Sequence, residues 1–119
     1  MRRTVGLSAL LITLALPAFA QTASAPQITL TLPLDGATVT SQTFKCGEGQ
    51  PFPVQYINAG ANMLALLPVD GDQRIFTNVI AASGARYTSG QYEWWTKGDT
   101  ATLTDAMDAD HPQDCTTVE

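Results

Sequence analysis

Glycine-bearing turns cut this chain at short, regular intervals: Asp35-Gly36, Gly47-Glu48-Gly49, Asn58-Ala59-Gly60, Asp70-Gly71-Asp72, Ser83-Gly84, Ser89-Gly90 and Lys97-Gly98-Asp99. The segments between them recur roughly every ten residues, too short to build a core from helices. They also alternate. Phe52, Val54 and Tyr56 fall on one face of a strand with Pro53 and Gln55 opposite, and Phe44 and Cys46 share a face two residues apart. The same reading predicts strands over Ile28–Leu34, Ala37–Cys46, Pro51–Ile57, Met63–Val69, Arg74–Ala81, a short one from Tyr87, then Tyr92–Thr96 and Ala101–Leu103. Met63–Val69 fits a buried strand or a short helix by pattern alone; its brevity and flanking turns favour the strand. Pro53 asks for an edge position or a bulge, because it has no N–H to give a second neighbour. Beyond Leu103 the chain reads as acidic and irregular up to Cys115. The fold class is therefore all-β, a small antiparallel β-barrel of about eight strands or a sandwich, and a barrel has the advantage of leaving no free edge.

The first residues stand outside that pattern. Arg2 and Arg3, the apolar run Val5–Leu16, Pro17 and then Ala18-Phe19-Ala20 have the form of a secretory signal peptide cleaved after Ala20, with Ala25 as the alternative. The run is too short to span a bilayer. No cysteine follows it, so no lipid anchor is indicated. The expected organisation is a signal peptide at 1–20, an N-terminal leader and first strand(s) at 21–42, and the barrel domain at 43–119. Without residues 1–20, four cations (Lys45, Arg74, Arg86, Lys97) face eleven carboxylates, a net charge of −7. Such a field repels nucleic acid and anionic membrane and favours a basic partner. Cys46 and Cys115, 69 residues apart, both lie in the exported part. An oxidising compartment would pair them, and the bridge would stabilise the fold by about 4 kcal/mol. The alternative is a metal or redox pair, for which there is no Cys-x-x-Cys spacing and one histidine to help.

Enzymatic readings find little to stand on. His111, the sole histidine, precedes Pro112 in the acidic tail and is expected on the surface, leaving no base for a serine or cysteine nucleophile. Glu93 and Asp99 are carboxylates of the type a glycosidase needs, but nothing in the pattern sets them in a cleft. Asp105, Asp108, Asp110 and Asp114 lack the glycine and terminal glutamate of a helix-loop-helix calcium loop and are expected to be solvated. Trp94 and Trp95 are adjacent, so one faces the core and the other outward, where it would be sheltered, stack on sugar or touch a protein; Tyr87 and Tyr92 divide between core and rim in the same way. Ser83-Gly84 and Lys97-Gly98 are each a turn when taken alone. The segments bearing them are two connections apart, so an antiparallel barrel can bring both tips to one end and offer a hydroxyl beside an ammonium. That pair suits a target with paired carboxylates: lysine gives charge-assisted donors, and serine donates to one carboxyl while accepting from a protonated other. A retaining glycosidase of the lysozyme type presents two such groups about 5 Å apart.

The chain resembles the c-type lysozyme inhibitor family, the periplasmic and membrane-bound inhibitors of bacteria. The resemblance is carried by Phe44-Lys45-Cys46-Gly47-Glu48-Gly49, Val54-x-Tyr56, Ser83-Gly84-Ala85-Arg86-Tyr87, Trp95-Thr96-Lys97-Gly98-Asp99-x-Ala101-x-Leu103 and the late Cys115, from about Thr43 to Thr116. It implies an eight-stranded antiparallel barrel and a Cys46–Cys115 disulfide; with the residue readings above, no enzymatic activity and no cofactor or metal are expected. It also implies insertion of Ser83 and Lys97 into the cleft of a c-type lysozyme, a cationic partner. Gly84 and Thr96 fall within the two motifs, Tyr87 supports the loop, and Arg86 has no assigned task. The missing anchor cysteine points to the soluble periplasmic variety. A homodimer through an exposed strand stays open. The alternative is a periplasmic barrel that binds a small ligand or cell-wall sugar in a pocket lined by Tyr92, Trp94 or Trp95.

Overall fold

A computed structural model describes residues 24–27, 29 and 31–119. The chain divides into two units, Met1–Thr31 and Leu32–Glu119. The expected signal peptide at 1–20 lies outside the described residues, and the described residues of the first unit carry no regular secondary structure.

The second unit holds eight strands: β1 Thr38–Cys46, β2 Phe52–Ala59, β3 Asn62–Val69, β4 Asp72–Val79, β5 Ala85–Ser89, β6 Tyr92–Lys97, β7 Thr100–Asp105 and β8 Gln113–Thr117, with a short 3-10 turn at Ala106–Asp108. Each pairs antiparallel with the next, and β8 returns to β1, closing a barrel in sequence order. The closing ladder matches only Phe44 with Thr117, Lys45 with Thr116 and Cys46 with Cys115. The Cys46–Cys115 disulfide therefore bridges directly opposed residues and staples the seam.

Two segments differ from the sequence expectation. Ile28–Leu34 reads as a strand, yet described residues 29 and 31–34 are not one, while 28 and 30 lie outside the described set. The barrel closes without it: β1 pairs with β2 on one side and, over Phe44–Cys46, with β8 on the other, and alternation alone makes no strand of a segment that no ladder takes up. Conversely Gln113 and Asp114, in the stretch expected to be irregular up to Cys115, belong to β8, Gln113–Thr117. Only Cys115 of this strand is buried, so it carries no apolar period; pairing with β1 and β7 makes it a strand. The two differences cancel in the count of eight.

Pro53 finds the one-sided position it needs. β2 pairs with β1 from Phe52 through Pro53 to Asn58, but the β2–β3 ladder stops at Gln55 opposite Leu66. Continuing that register would set Pro53 against Pro68, and neither has an N–H to donate.

Inward-facing side chains fill the barrel: Phe44, Val54, Ala65, Leu67, Phe76 and Trp94 are fully buried, with Tyr56 and Tyr87 nearly so. Trp94 meets Phe44 edge-on at 5.0 Å between centroids, and its Nε1 donates to the Tyr56 hydroxyl at 3.0 Å, so its one polar group is satisfied inside the core. Burial pushes the Tyr56 phenol up to about 12, against the opposing effect of the Trp94 hydrogen bond.

Candidate partner-binding site

β5 and β6 form a hairpin in which Tyr87 opposes Trp94, Arg86 opposes Trp95 and Ala85 opposes Thr96. Strand alternation does the sorting. Tyr87 and Trp94 point into the core, and burial raises the Tyr87 phenol. Arg86, Glu93, Trp95 and Lys97 share the parity of the outer face. Of the adjacent tryptophans, Trp94 is thus the inward one and Trp95 the outward one.

One step beyond Ala85 and Thr96, the register sets Gly84 against Lys97. Gly84 has φ +64, and a Cβ built there would collide with the Thr96 carbonyl oxygen and lie 2.8 Å from Lys97 Cγ. Only glycine lets the backbone rest so closely on the neighbouring strand. This contact brings the Ser83-Gly84 tip and the Lys97 stem together at one end of the barrel.

Trp95 ties the pieces together. Its Nε1 donates to the Ser83 carbonyl at 2.9 Å, Lys97 Nζ lies 4.5 Å from its ring centroid, and the Arg86 guanidinium carbon lies 5.4 Å from it. The ring face attracts both cations while the ring edge fixes the serine loop. Arg86 is held in turn by Glu93, whose Oε2 accepts from Nε at 3.1 Å and Nη2 at 2.6 Å, the diagonal pairing available on one face of two neighbouring strands. Its Nη1 donates to the Ile80 carbonyl at 3.2 Å, and its own carbonyl accepts from Asn78 Nδ2 at 3.0 Å. Glu93 is thereby committed to an ion pair, not to one of two carboxylates facing a cleft. Lys97 has no carboxylate within ion-pair distance among the described residues, and it is exposed.

The expected site residues therefore separate by position. Ser83, Gly84 and Lys97 meet at the tip. Arg86 and Trp95 brace it from the outer face. Thr96 follows the inward parity, half-buried, with its Oγ1 3.5 Å from the Ala85 carbonyl, and its backbone oxygen lies beneath Gly84. Tyr87 is buried in the core and offers no contact surface. The part that sequence reasoning left open was Trp95 as the hub. The available signal was parity: once Arg86 opposes Trp95, Lys97 two residues on must share their face.

The opposite end of the barrel holds a cavity of about 270 Å³ lined by Phe52, Val69, Asp70, Tyr92, Leu103 and Asp105, among others. It opens where Pro53 and Pro68 end the β2–β3 ladder. Tyr92 donates to Asp70 Oδ2 at 2.6 Å, and Arg74 lies 4.7 Å from its ring. Of the three aromatics that a sugar pocket would use, Tyr92 lines this cavity, Trp94 is fully buried and Trp95 stands at the other end. The acidic tail serves local turns: Asp105 Oδ1 accepts from Met107 N at 2.8 Å and from Gln91 Nε2 at 2.9 Å, and exposed His111 pairs with Asp108 at 2.7 Å.

Residues 44–111 match the protein family described as membrane-bound lysozyme-inhibitor of c-type lysozyme. A Pseudomonas aeruginosa protein named membrane-bound lysozyme inhibitor of C-type lysozyme is 54% identical over 76 residues, 62% of this chain and 60% of the relative, so the match spans less than two thirds of that protein. A Cupriavidus necator protein of the same name is 40% identical over 106 residues, 87% of this chain and 80% of the relative. Among solved structures, Pseudomonas aeruginosa MliC in complex with hen egg white lysozyme aligns with a TM-score of 0.67 at 44% identity, over 81% of this chain and 100% of that one. PliC-St, the periplasmic lysozyme inhibitor of C-type lysozyme from Salmonella typhimurium, aligns at 0.59 and 25%, over 69% and 100%. Motifs, closed barrel, stapled seam and relatives agree, and the chain belongs to the family of membrane-bound lysozyme inhibitors of c-type lysozyme.

Proposed function

We propose that this protein inhibits c-type lysozyme by placing Ser83 and Lys97 in the enzyme's active-site cleft, and so protects peptidoglycan from hydrolysis. The observation that carries this reading is the seat of Gly84 on the Lys97 stem, which sets the serine loop beside an ammonium that has no carboxylate partner among the described residues. A lysozyme-type cleft holds two carboxyl groups about 5 Å apart, one acting as acid and one ionised. An ammonium there donates charge-assisted hydrogen bonds to the ionised group, and the serine hydroxyl serves the other as donor or acceptor. Filling the gap excludes both the glycan and the water that completes hydrolysis. The relative solved with hen egg white lysozyme supports the choice of partner.

The −7 charge of residues 21–119 suits a cationic enzyme and accelerates encounter at low salt. The proposed location is the periplasm, reached through the signal peptide at 1–20 and without an anchor, whereas the curated relatives are named membrane-bound. Release by osmotic shock is the expected outcome, and recovery only in detergent-extracted membranes would contradict it.

Clearing of a bacterial suspension by lysozyme tests the main reading. The wild-type protein should stop the clearing, and Lys97→Ala and Ser83→Ala should each weaken the block. If both variants protect as well as wild type, the cleft is being blocked by something else on the surface.

A further inference from the structure

Ile80 is 94% exposed, more than any other large apolar side chain among the described residues, and it stands three residues before Ser83. A lone exposed isoleucine is ordinarily unremarked. This one is fixed. Its carbonyl is held by Arg86 Nη1 at 3.2 Å, the Ser83 carbonyl is held by Trp95 Nε1 at 2.9 Å, and Glu93 clamps Arg86 in place. Between the two anchor points lie only Ala81 and Ala82, with Gly84 seated on β6 beyond them. Side chains of one sheet face thus hold the loop at both ends, and the isoleucine projects from a braced backbone.

The fold draws nothing from a side chain in that position, whereas association would. Burying it removes apolar area from water without having to order a loop at the moment of contact. Interfaces place such an apolar contact beside their polar key, where it excludes water from the charged pair. On the partner's side the chemistry matches: clefts that hold an organic ligand are lined mainly by apolar and aromatic side chains, with few polar groups. An isoleucine next to a plug aimed at the carboxylates would land on that lining.

We infer that Ile80 is an apolar anchor of the partner-binding surface, seated against the apolar wall of the lysozyme cleft beside the carboxylates, with Arg86 as the residue that positions it. This rests on the reading of Ser83 and Lys97 as the plug, and it gives Arg86 the task that the motif left unassigned.

Binding of the full chain to immobilised hen egg white lysozyme tests the inference, using Ile80→Ala, Ile80→Asp, Lys97→Ala and Met107→Ala in parallel with wild type. Met107, 81% exposed in the 3-10 turn at the other end of the barrel, is the matched control. Ile80→Ala should weaken binding roughly 5- to 20-fold, the loss expected for three carbons that are partly buried in the complex. Ile80→Asp should weaken it further, and Met107→Ala should match wild type. All four should melt at the wild-type temperature, since none removes a buried group. If Lys97→Ala weakens binding while both Ile80 variants bind like wild type, the anchor is refuted and the plug stands. If Lys97→Ala also binds like wild type, the plug fails and takes the anchor with it.

Discussion

Replacing Gly84 by alanine isolates the contact on which the proposed site depends. The change adds one methyl group at a backbone φ of +64, where a non-glycine residue costs roughly 1–2 kcal/mol. It also drives that methyl into the Thr96 carbonyl oxygen and to 2.8 Å from Lys97 Cγ. The lysine stem can swing aside, but the Thr96 carbonyl belongs to β6, one residue from its end, so the loop must lift instead. Strain and displacement together should lower stability by about 2–3 kcal/mol. For a domain of this size that is a fall in melting temperature of roughly 10–20 °C. Lifting the loop also separates Ser83 from Lys97 and pulls the Ser83 carbonyl from Trp95. Inhibition, measured at a temperature where circular dichroism shows the variant still folded, should therefore fall by more than tenfold, at least as far as in Ser83→Ala. A Gly84→Ala protein that melts within a degree or two of wild type and inhibits equally well would refute the close approach as the organising contact. A variant that is destabilised yet inhibits normally while folded would leave the strain argument standing and remove the link from this contact to binding.

Three further outcomes follow from the same geometry. Trp95→Phe keeps a ring face for Lys97 and Arg86 but loses the donor to Ser83, so it should fold normally and inhibit several-fold less well, while Trp95→Leu should be worse; equal inhibition constants for Trp95→Phe and wild type would show that the indole hydrogen bond is idle. Reducing the Cys46–Cys115 bridge, or replacing both cysteines by serine, should lower stability by about 4 kcal/mol in denaturant titrations, because a 69-residue separation is released at the β1–β8 ladder that closes the barrel. At high pH, Tyr56 imposes a sign: its phenol is raised from 10.0 to about 12 in the folded state, so the folded state binds the proton more tightly and stability falls as pH rises from 10 towards 12. The Tyr56 share of the loss should approach about 2 kcal/mol near the top of that window, and the fall should be smaller by that share in Tyr56→Phe, where the raised phenols of Tyr87 and Tyr92 still titrate, as read from urea midpoints at pH 9 and pH 11.5.

Strands whose side chains report their own alternation were legible. Phe52, Val54 and Tyr56 mark β2 without outside help, and the turn at Asn58-Ala59-Gly60 settles the otherwise ambiguous run that became β3. Segments whose state depends on a partner were not. Ile28–Leu34 alternates, but alternation only makes a face, and a face becomes a strand when a neighbouring strand pairs with it. Gln113–Thr117 shows the reverse, five residues with one buried side chain made a strand by two neighbours and a disulfide. Barrel closure is a property of all eight ladders together, so no single window of the sequence could have exchanged these two segments.

The site divides along the same line. That Ser83 and Lys97 reach one end of the barrel follows from counting connections, since every antiparallel turn reverses the chain and two turns restore its direction. What counting leaves out is register. A slip of one residue between β5 and β6 would turn Trp95 inward with Trp94 outward, set Arg86 against the wrong partner and leave Gly84 away from the Lys97 stem. The register is fixed by the core pair Tyr87 and Trp94, whose burial allows only one choice of which tryptophan faces in. The outward set of Arg86, Glu93, Trp95 and Lys97 is thus dictated by residues on the other side of the sheet. A substitution such as Trp94→Thr, well away from any partner, should disturb the display of Ser83 and Lys97 as well as the core.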